Sequence, residues 1–266
     1  MLKDFNTCPT KNVKIKSNFH THNYMCGHAG GTVSDYVKEA VKFGYEIIGI
    51  SDHCTHPLNL TSPNYMTVET LQGEYLPQFL QAQNLYGDKI KILSAVEIEY
   101  FENNDGYYKT LLDNLDYLVM GQHEYVLNGK LKNSFFDGID EENVIAYCNN
   151  VKAGIRSGYF SLIAHPDLIF YNCATVTQAM ANAFEDTVKE AAKHGVIMEL
   201  NANGIRYHRF HYPTQLLIDL CKKYNAKVIV SSDCHNPKDL CDEYVQRLYA
   251  YAINQKLNVV DNIGCK

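Results

Sequence analysis

Much is missing from this 266-residue chain, and each absence excludes a class of protein. No apolar run approaches the roughly 18 residues of a membrane-crossing helix. The opening stretch, MLKDFNTCPTKNVKIKSN, has neither the apolar segment nor the small-residue cleavage site of a secretory signal. Positive charge is not in excess. The 24 Lys and Arg stand against 30 Asp and Glu, a net charge of −6 that leaves no basic footprint for nucleic acid. The nine cysteines are odd in number, scattered, and form no C-x-x-C pair, so free thiols in a reducing compartment are expected rather than a disulfide framework. Linkers, low-complexity tracts and internal repeats are also absent. The expectation is a cytoplasmic protein with a single domain over residues 1–266 and no membrane or nucleic-acid partner. Its oligomeric state is not fixed by the sequence.

What is present is a regular alternation. Short β-rich runs predict strands over 13–19, 46–51, 89–98, 116–122, 159–165, 195–200 and 226–232. Amphipathic stretches between them predict helices over 32–43, 67–86, 107–115, 140–157, 177–194 and 214–225, with a last one over 242–255. Thr32 with Asp35 reads as a capping box, and Gly44, Gly158 and Gly195 stand where helices would stop. Strands alternating with helices of this length predict βαβ units and a parallel sheet. Seven such units are one short of the eight-stranded barrel, so a barrel is expected first and an open doubly wound sheet second.

Polar residues collect at one place in this pattern. The C-terminal ends of the predicted strands carry His20 and His22, Asp52 and His53, Glu97, His123, His165, Asn201, and Asp233 with His235; His28 follows the first strand in its loop. In a barrel those ends converge on one rim. Neutral imidazole and carboxylate suit zinc, manganese and iron alike, and a carboxylate can bridge two ions. The residues of an H-x-H on a strand share a face because the period is two, so both can reach one ion. Nine donors exceed what one or two tetrahedral ions need and suit three.

In order along the chain, H-x-H, C-G-H, S-D-H, E-I-E-Y, G-Q-H, A-H-P-D, E-L-N-x-x-G-x-R and S-D-x-H run from about Asn18 to Asn236. This set resembles the polymerase-and-histidinol-phosphatase (PHP) superfamily, and within it the histidinol-phosphate phosphatase branch. The resemblance implies a distorted (β/α)7 barrel with three divalent metal ions at the C-terminal rim. It implies His20, His22, Glu97 and Asp233 on the first ion, Glu97, His123 and His165 on the second, and His28, His53 and His235 on the third. The reaction expected is hydrolysis of a small phosphorylated substrate, L-histidinol phosphate, by a hydroxide bridging the first two ions. Asp233 and His235 would belong to the catalytic group; Asp52 or a rim histidine would protonate the leaving group, and Asp52 could instead orient a ligand. Arg206 is the expected phosphate contact, since a guanidinium matches phosphate oxygens.

Rival readings are a phosphoesterase of the same superfamily acting on a nucleotide or other small ester, a metal-dependent amidohydrolase, and a binding module without catalysis. An amidohydrolase would carry eight strands and a lone Asp where D-x-H stands here. A structural site would be closed by its ligands. His56, His208, His211 and Cys26 lie near these motifs with roles the sequence leaves open; Cys26 reads as a bystander thiol.

Overall fold

The computed structural model describes residues 2–8, 13–58, 65–137, 139–207 and 211–264. Ten strands are found among them: β1 (Ser17–Asn18), β2 (Ile47–His53), β3 (Lys91–Ile98), β4 (Tyr117–Met120), β5 (Glu124–Leu127), β6 (Lys130–Asn133), β7 (Leu162–Ile163), β8 (Ile197–Asn201), β9 (Lys227–Ser231) and β10 (Asn258–Val259). The helices are α1 (Val33–Phe43), α2 (Val68–Thr70), α3 (Leu76–Tyr86), α4 (Asp105–Leu112), α5 (Glu141–Ser157), α6 (Gln178–His194), α7 (Ala202–Arg206), α8 (Gln215–Tyr224) and α9 (Glu243–Asn254). Eight strands form one parallel sheet in the order β1-β2-β3-β4-β7-β8-β9-β10, while β5 and β6 make a separate antiparallel hairpin.

Local chemistry sets the element ends as expected. The Thr32 side chain accepts from Asp35 N, and the Asp35 carboxylate accepts in turn from Thr32 N at 2.8 Å, so the capping box is complete. Helices α1, α5 and α6 stop at Gly44, Gly158 and Gly195. The predicted helix over 67–86 is α2 and α3 joined by a π-helical turn, Leu71–Tyr75. Three elements were not foreseen: the β5–β6 hairpin, the short helix α7, and β10, an eighth strand in the sheet.

Alternation along β2 separates two cores. Ile48 and Ile50 pack outward into the large core beneath the helices, whereas Phe19, Leu93, Tyr117, Val119, Leu162 and Ile229 fill the barrel interior. β10 flanks the first half of β9, pairing Asn258 with Lys227. At the C-terminal rim the chain after β1 takes over that flank: Thr21 bridges Cys234, His22 N donates to Cys234 O at 3.1 Å, and Asp233 N donates to His20 O at 3.0 Å. The barrel thus closes only at its upper rim. There Phe19 and His20, consecutive residues, both face the interior, which a regular strand forbids. Asn18 supplies the irregularity, its side chain accepting from Ser232 N at 2.7 Å and donating to His20 O at 3.1 Å.

The interior tolerates no added atom at Gly49. A Cβ there would stand 1.9 Å from Tyr117 Oη, whose hydroxyl donates to Phe19 O at 2.7 Å. Gly49→Ala is expected to cost at least about 1–3 kcal/mol by overpacking, read from urea unfolding, with part of the loss relieved in a Tyr117→Phe background. A neutral Gly49→Ala would mean that Tyr117 does not fill the barrel.

Candidate metal centre

Four donor atoms from three distant segments meet at the rim. His20 Nε2 lies 3.1 Å from His22 Nε2, 3.3 Å from Glu97 Oε2 and 3.6 Å from Asp233 Oδ1. His22 Nε2 lies 3.4 Å from Glu97 Oε2 and 3.2 Å from Asp233 Oδ1. Those separations match the edges, roughly 3.3 Å, of a tetrahedron with arms of about 2.0 Å, the zinc–nitrogen distance. The other oxygen of the same carboxylate serves a second group: Glu97 Oε1 is 2.9 Å from His165 Nε2 and 3.6 Å from His123 Nε2. Gly121 makes room for it, since a Cβ there would sit 2.0 Å from Glu97 Oε1.

The imidazoles are oriented from behind. His20 Nδ1–H donates to Glu199 at 2.8 Å, His22 Nδ1–H to Asp52 at 3.2 Å and His123 Nδ1–H to Glu99 at 2.9 Å. His28 Nδ1–H donates to Cys26 O at 2.9 Å and His235 Nδ1–H to Asp233 O at 3.2 Å, leaving their Nε2 atoms facing each other at 3.0 Å. With the protons held on Nδ1, the Nε2 lone pairs converge. Lone pairs that face one another repel unless a cation lies between them, so the donor set fits metal ions.

Charge points the same way. Burial opposes ionisation of His20, but Glu199, Asp233 and Glu97 outweigh it and hold its pKa well above the ordinary value. His123 is pushed up to about 9, Glu97 and Glu99 overcoming burial. Glu97 stays ionised despite burial, held well below the usual carboxylate range by His20, His123 and His53. Two rings go the other way: burial, then the charge of His22, lowers His53 well below its usual value and His235 to about 4. Buried carboxylates here demand positive charge, whether from protons or from metal ions. The backbone is strained at the same spot. His165 and Asp233 have φ of 29° and 45°, costing about 1–3 kcal/mol each. Hydrogen bonds from His165 N to Glu199 at 2.7 Å and from Asp233 N to His20 O at 3.0 Å hold them there.

A cavity of ≈ 470 Å³ opens over these groups, lined among others by His22, His28, His53, Glu97, His123, His165, Asp233 and His235. The PHP domain family matches residues 18–203, most of the chain. The chain belongs to the PHP family. Among PHP relatives, the "Probable histidinol-phosphatase" of Deinococcus radiodurans is 24% identical over 229 residues, covering 83% of this chain and 86% of that protein. The "Histidinol-phosphatase" of Bacillus subtilis is 20% identical over 257 residues, covering 85% and 95%. The crystal structure of histidinol phosphate phosphatase from Lactococcus lactis, complexed with zinc, L-histidinol and phosphate, superposes with a TM-score of 0.69 at 16% identity, covering 92% of this chain and 95% of that one. The distorted α/β barrel is therefore shared with that structure, and this PHP protein is a hydrolase similar to proteins named histidinol-phosphatase.

Not every expected residue lands where the motifs placed it. In the third set, His28 and His235 bring their Nε2 atoms to 3.0 Å, and His53 stands to one side. His53 turns Nδ1 to Glu97 Oε2 at 3.3 Å, and its ring centre is 5.5 Å from that of His28. In its place the loop after β1 brings Cys26 within 4.8 Å of His22 and His235 donor atoms. Arg206 does not line the cavity. It ends α7 pointing toward the loop after β9, where Nε donates to Asp242 at 2.6 Å, Nη1 to Ser232 O at 3.1 Å and Nη2 to Asp239 O at 3.0 Å. These bonds hold that loop, a placement away from the cavity lining that the phosphate-contact expectation did not foresee.

Asp52 is fully buried and also outside the cavity lining. Oδ1 faces His22 Nδ1 and accepts from His53 N at 2.9 Å, and Oδ2 accepts from Asn23 N at 3.1 Å. Of its two expected roles, only orienting a ligand fits that position. Asp52→Asn is therefore expected to cut metal affinity about 10–100-fold and activity in step. A loss of turnover at unchanged metal affinity would restore the acid role.

The motifs E-I-E-Y and E-L-N contain Glu99 and Glu199, but the ligand assignment gave no role to these carboxylates, which stand behind His123 and His20. Both carry a readable signal: Glu99 is two residues from Glu97 and so on its face, and Glu199 interrupts the apolar run VIMEL. His56 is buried behind the site, with Nε2 3.2 Å from Glu124 Oε2. His211 packs on Tyr171 outside the cavity lining, and His208 lies outside the described residues. The described cysteines all carry free thiols.

Proposed function

We propose that this chain hydrolyses phosphomonoesters with three divalent metal ions, and that its substrate is L-histidinol phosphate, released as L-histidinol and phosphate. One observation carries the reading: Glu97 offers Oε2 to the His20–His22 group and Oε1 to the His123–His165 group, the arrangement of a carboxylate spanning two ions. The first ion would rest on His20, His22, Glu97 and Asp233, and the second on Glu97, His123 and His165. The third would rest on His28 and His235, with His53 beside them. Zinc, manganese and iron all suit these ligands, and zinc accompanies L-histidinol and phosphate in the Lactococcus lactis structure. Ions bound there would lower the pKa of water to roughly 7 and offset phosphoryl charge.

The chain's own residues prepare the site. Glu199, Asp52 and Glu99 keep protons on Nδ1 of His20, His22 and His123, so each Nε2 stays a donor. Asn201 donates to Asp233 Oδ2 at 2.9 Å, which leaves Oδ1 toward the histidines. Phosphate release measured over a panel of phosphomonoesters, nucleotides and a phosphodiester, with metal analysis of the same preparation, tests the proposal. The expected result is fastest turnover of L-histidinol phosphate, lost on chelation and restored by added metal. A flat profile or a nucleotide preference would remove the histidinol assignment, and turnover of the diester alone would remove the phosphomonoesterase reading.

A further inference from the structure

Beyond the groups already described, the cavity is lined by Phe135, Asn203, Tyr207, Tyr212, Asn236 and Asp239. Among the described lining residues there is no lysine or arginine, but there is this extra carboxylate. Asp239 belongs to none of the groups able to hold a metal ion. A wall meant only for a phosphate dianion would gain from a cation and lose from an added anion, so Asp239 needs a different reason.

Its position is built. The Tyr207 hydroxyl donates to Asp239 Oδ2 at 2.9 Å, Asp239 N donates to Asn236 O at 3.0 Å, and Asp239 O accepts from Arg206 Nη2 at 3.0 Å. Arg206 thereby fixes the main chain of Asp239 while its ion pair goes to Asp242. No ion pair to the Asp239 carboxylate occurs among the described residues. The result is an anchored, half-buried carboxylate in the cavity wall with no ion-pair partner among the described residues.

We infer that Asp239 recognises a positive charge on the alcohol half of the ester, making this a site for phosphate esters of amino alcohols and similar organic cations. The inference rests on the phosphomonoesterase reading above. Phosphate is held at the histidine-lined end. The cationic half meets Asp239 at the other, flanked by aromatic rings of Phe135, Tyr207 and Tyr212, which also favour a cation. The same carboxylate repels esters whose alcohol carries further negative charge, so carboxylated esters and nucleoside polyphosphates are discriminated against.

Asp239→Asn keeps an acceptor oxygen for Tyr207 and removes the charge. The ratio of kcat/KM for L-histidinol phosphate and phosphoethanolamine to that for phenyl phosphate is expected to fall about tenfold, chiefly through KM of the cationic esters. An unchanged ratio, or an equal loss on all three, overturns the inference. Calorimetric titration of L-histidinol alone reads the same contact without turnover, and equal affinity for both proteins overturns it as well. A wild-type protein inactive on every ester, yet binding L-histidinol through Asp239, would sink the phosphomonoesterase reading and leave this contact standing.

Discussion

Glu97→Gln should cost about a thousandfold or more in kcat/KM and remove bound metal in the same preparation, with the fold retained by circular dichroism. The side chain is 1% exposed; Oε2 faces His20, His22 and His53, while Oε1 faces His123 and His165. An amide keeps one acceptor oxygen and replaces the other with an NH2 group, which cannot ligate and aims hydrogens at rings whose lone pairs should receive an ion. The buried histidines would also lose the charge that holds them. His20 and His123 both owe raised pKa values in part to Glu97, so the variant's site prefers neutral rings and attracts cations less. Metal content by elemental analysis and phosphate release by a coupled assay check both halves. Full turnover with a full metal complement would show that Glu97 does not span two ions.

Why so much of this site was legible is a matter of periodicity. In a parallel barrel each strand ends at the same rim, so a polar residue after an apolar run is placed to within a residue or two from sequence alone. That logic located Glu97, His123, His165 and Asp233 without knowledge of any loop. It worked less well where the chain leaves regular structure. The spacing of His20 and His22 fits one strand face, yet strand β1 ends at Asn18, and it is an amide-filled irregularity that turns both rings inward. The loop carrying Cys26 and His28 follows its own turn, stopped at Gly27 with φ 75°, and this decides which donors approach His235. Pattern gives no hold on such a turn.

Glu99 and Glu199 reveal a second limit. A motif read for ligands stops at the atoms that face the ion, whereas the fold must also satisfy the far nitrogen of every buried ring. The carboxylates are visible in the sequence once that demand is imposed. The β5–β6 hairpin escapes the pattern because each strand has only four residues and no helix lies between them; EYVL buries Tyr125, but KLKN buries nothing fully. It nevertheless leads directly into Phe135 of the cavity wall.

Arg206→Met should lower unfolding free energy by about 3–5 kcal/mol, the cost of leaving a buried ionic partner uncompensated. The Arg206 side chain is 5% exposed and Asp242 18%, so water can do little for the carboxylate left behind. Asp242 is also the N-cap of α9, accepting from Tyr244 N and Val245 N at 3.0 Å through its other oxygen, and the lost guanidinium loosens that helix start as well. Two carbonyls, Ser232 O and Asp239 O, lose donors at the same time. Urea unfolding followed by circular dichroism measures the loss. Phosphate affinity separates this account from the one the motif invited. A guanidinium gripping the ester would, when removed, weaken inorganic phosphate inhibition and leave the urea midpoint unchanged. A guanidinium tying α7 to the loop after β9 would shift the midpoint and leave inhibition by phosphate close to wild type in the fraction that folds. The observed geometry requires the second outcome, and wild-type stability with lost phosphate inhibition would return Arg206 to the cavity.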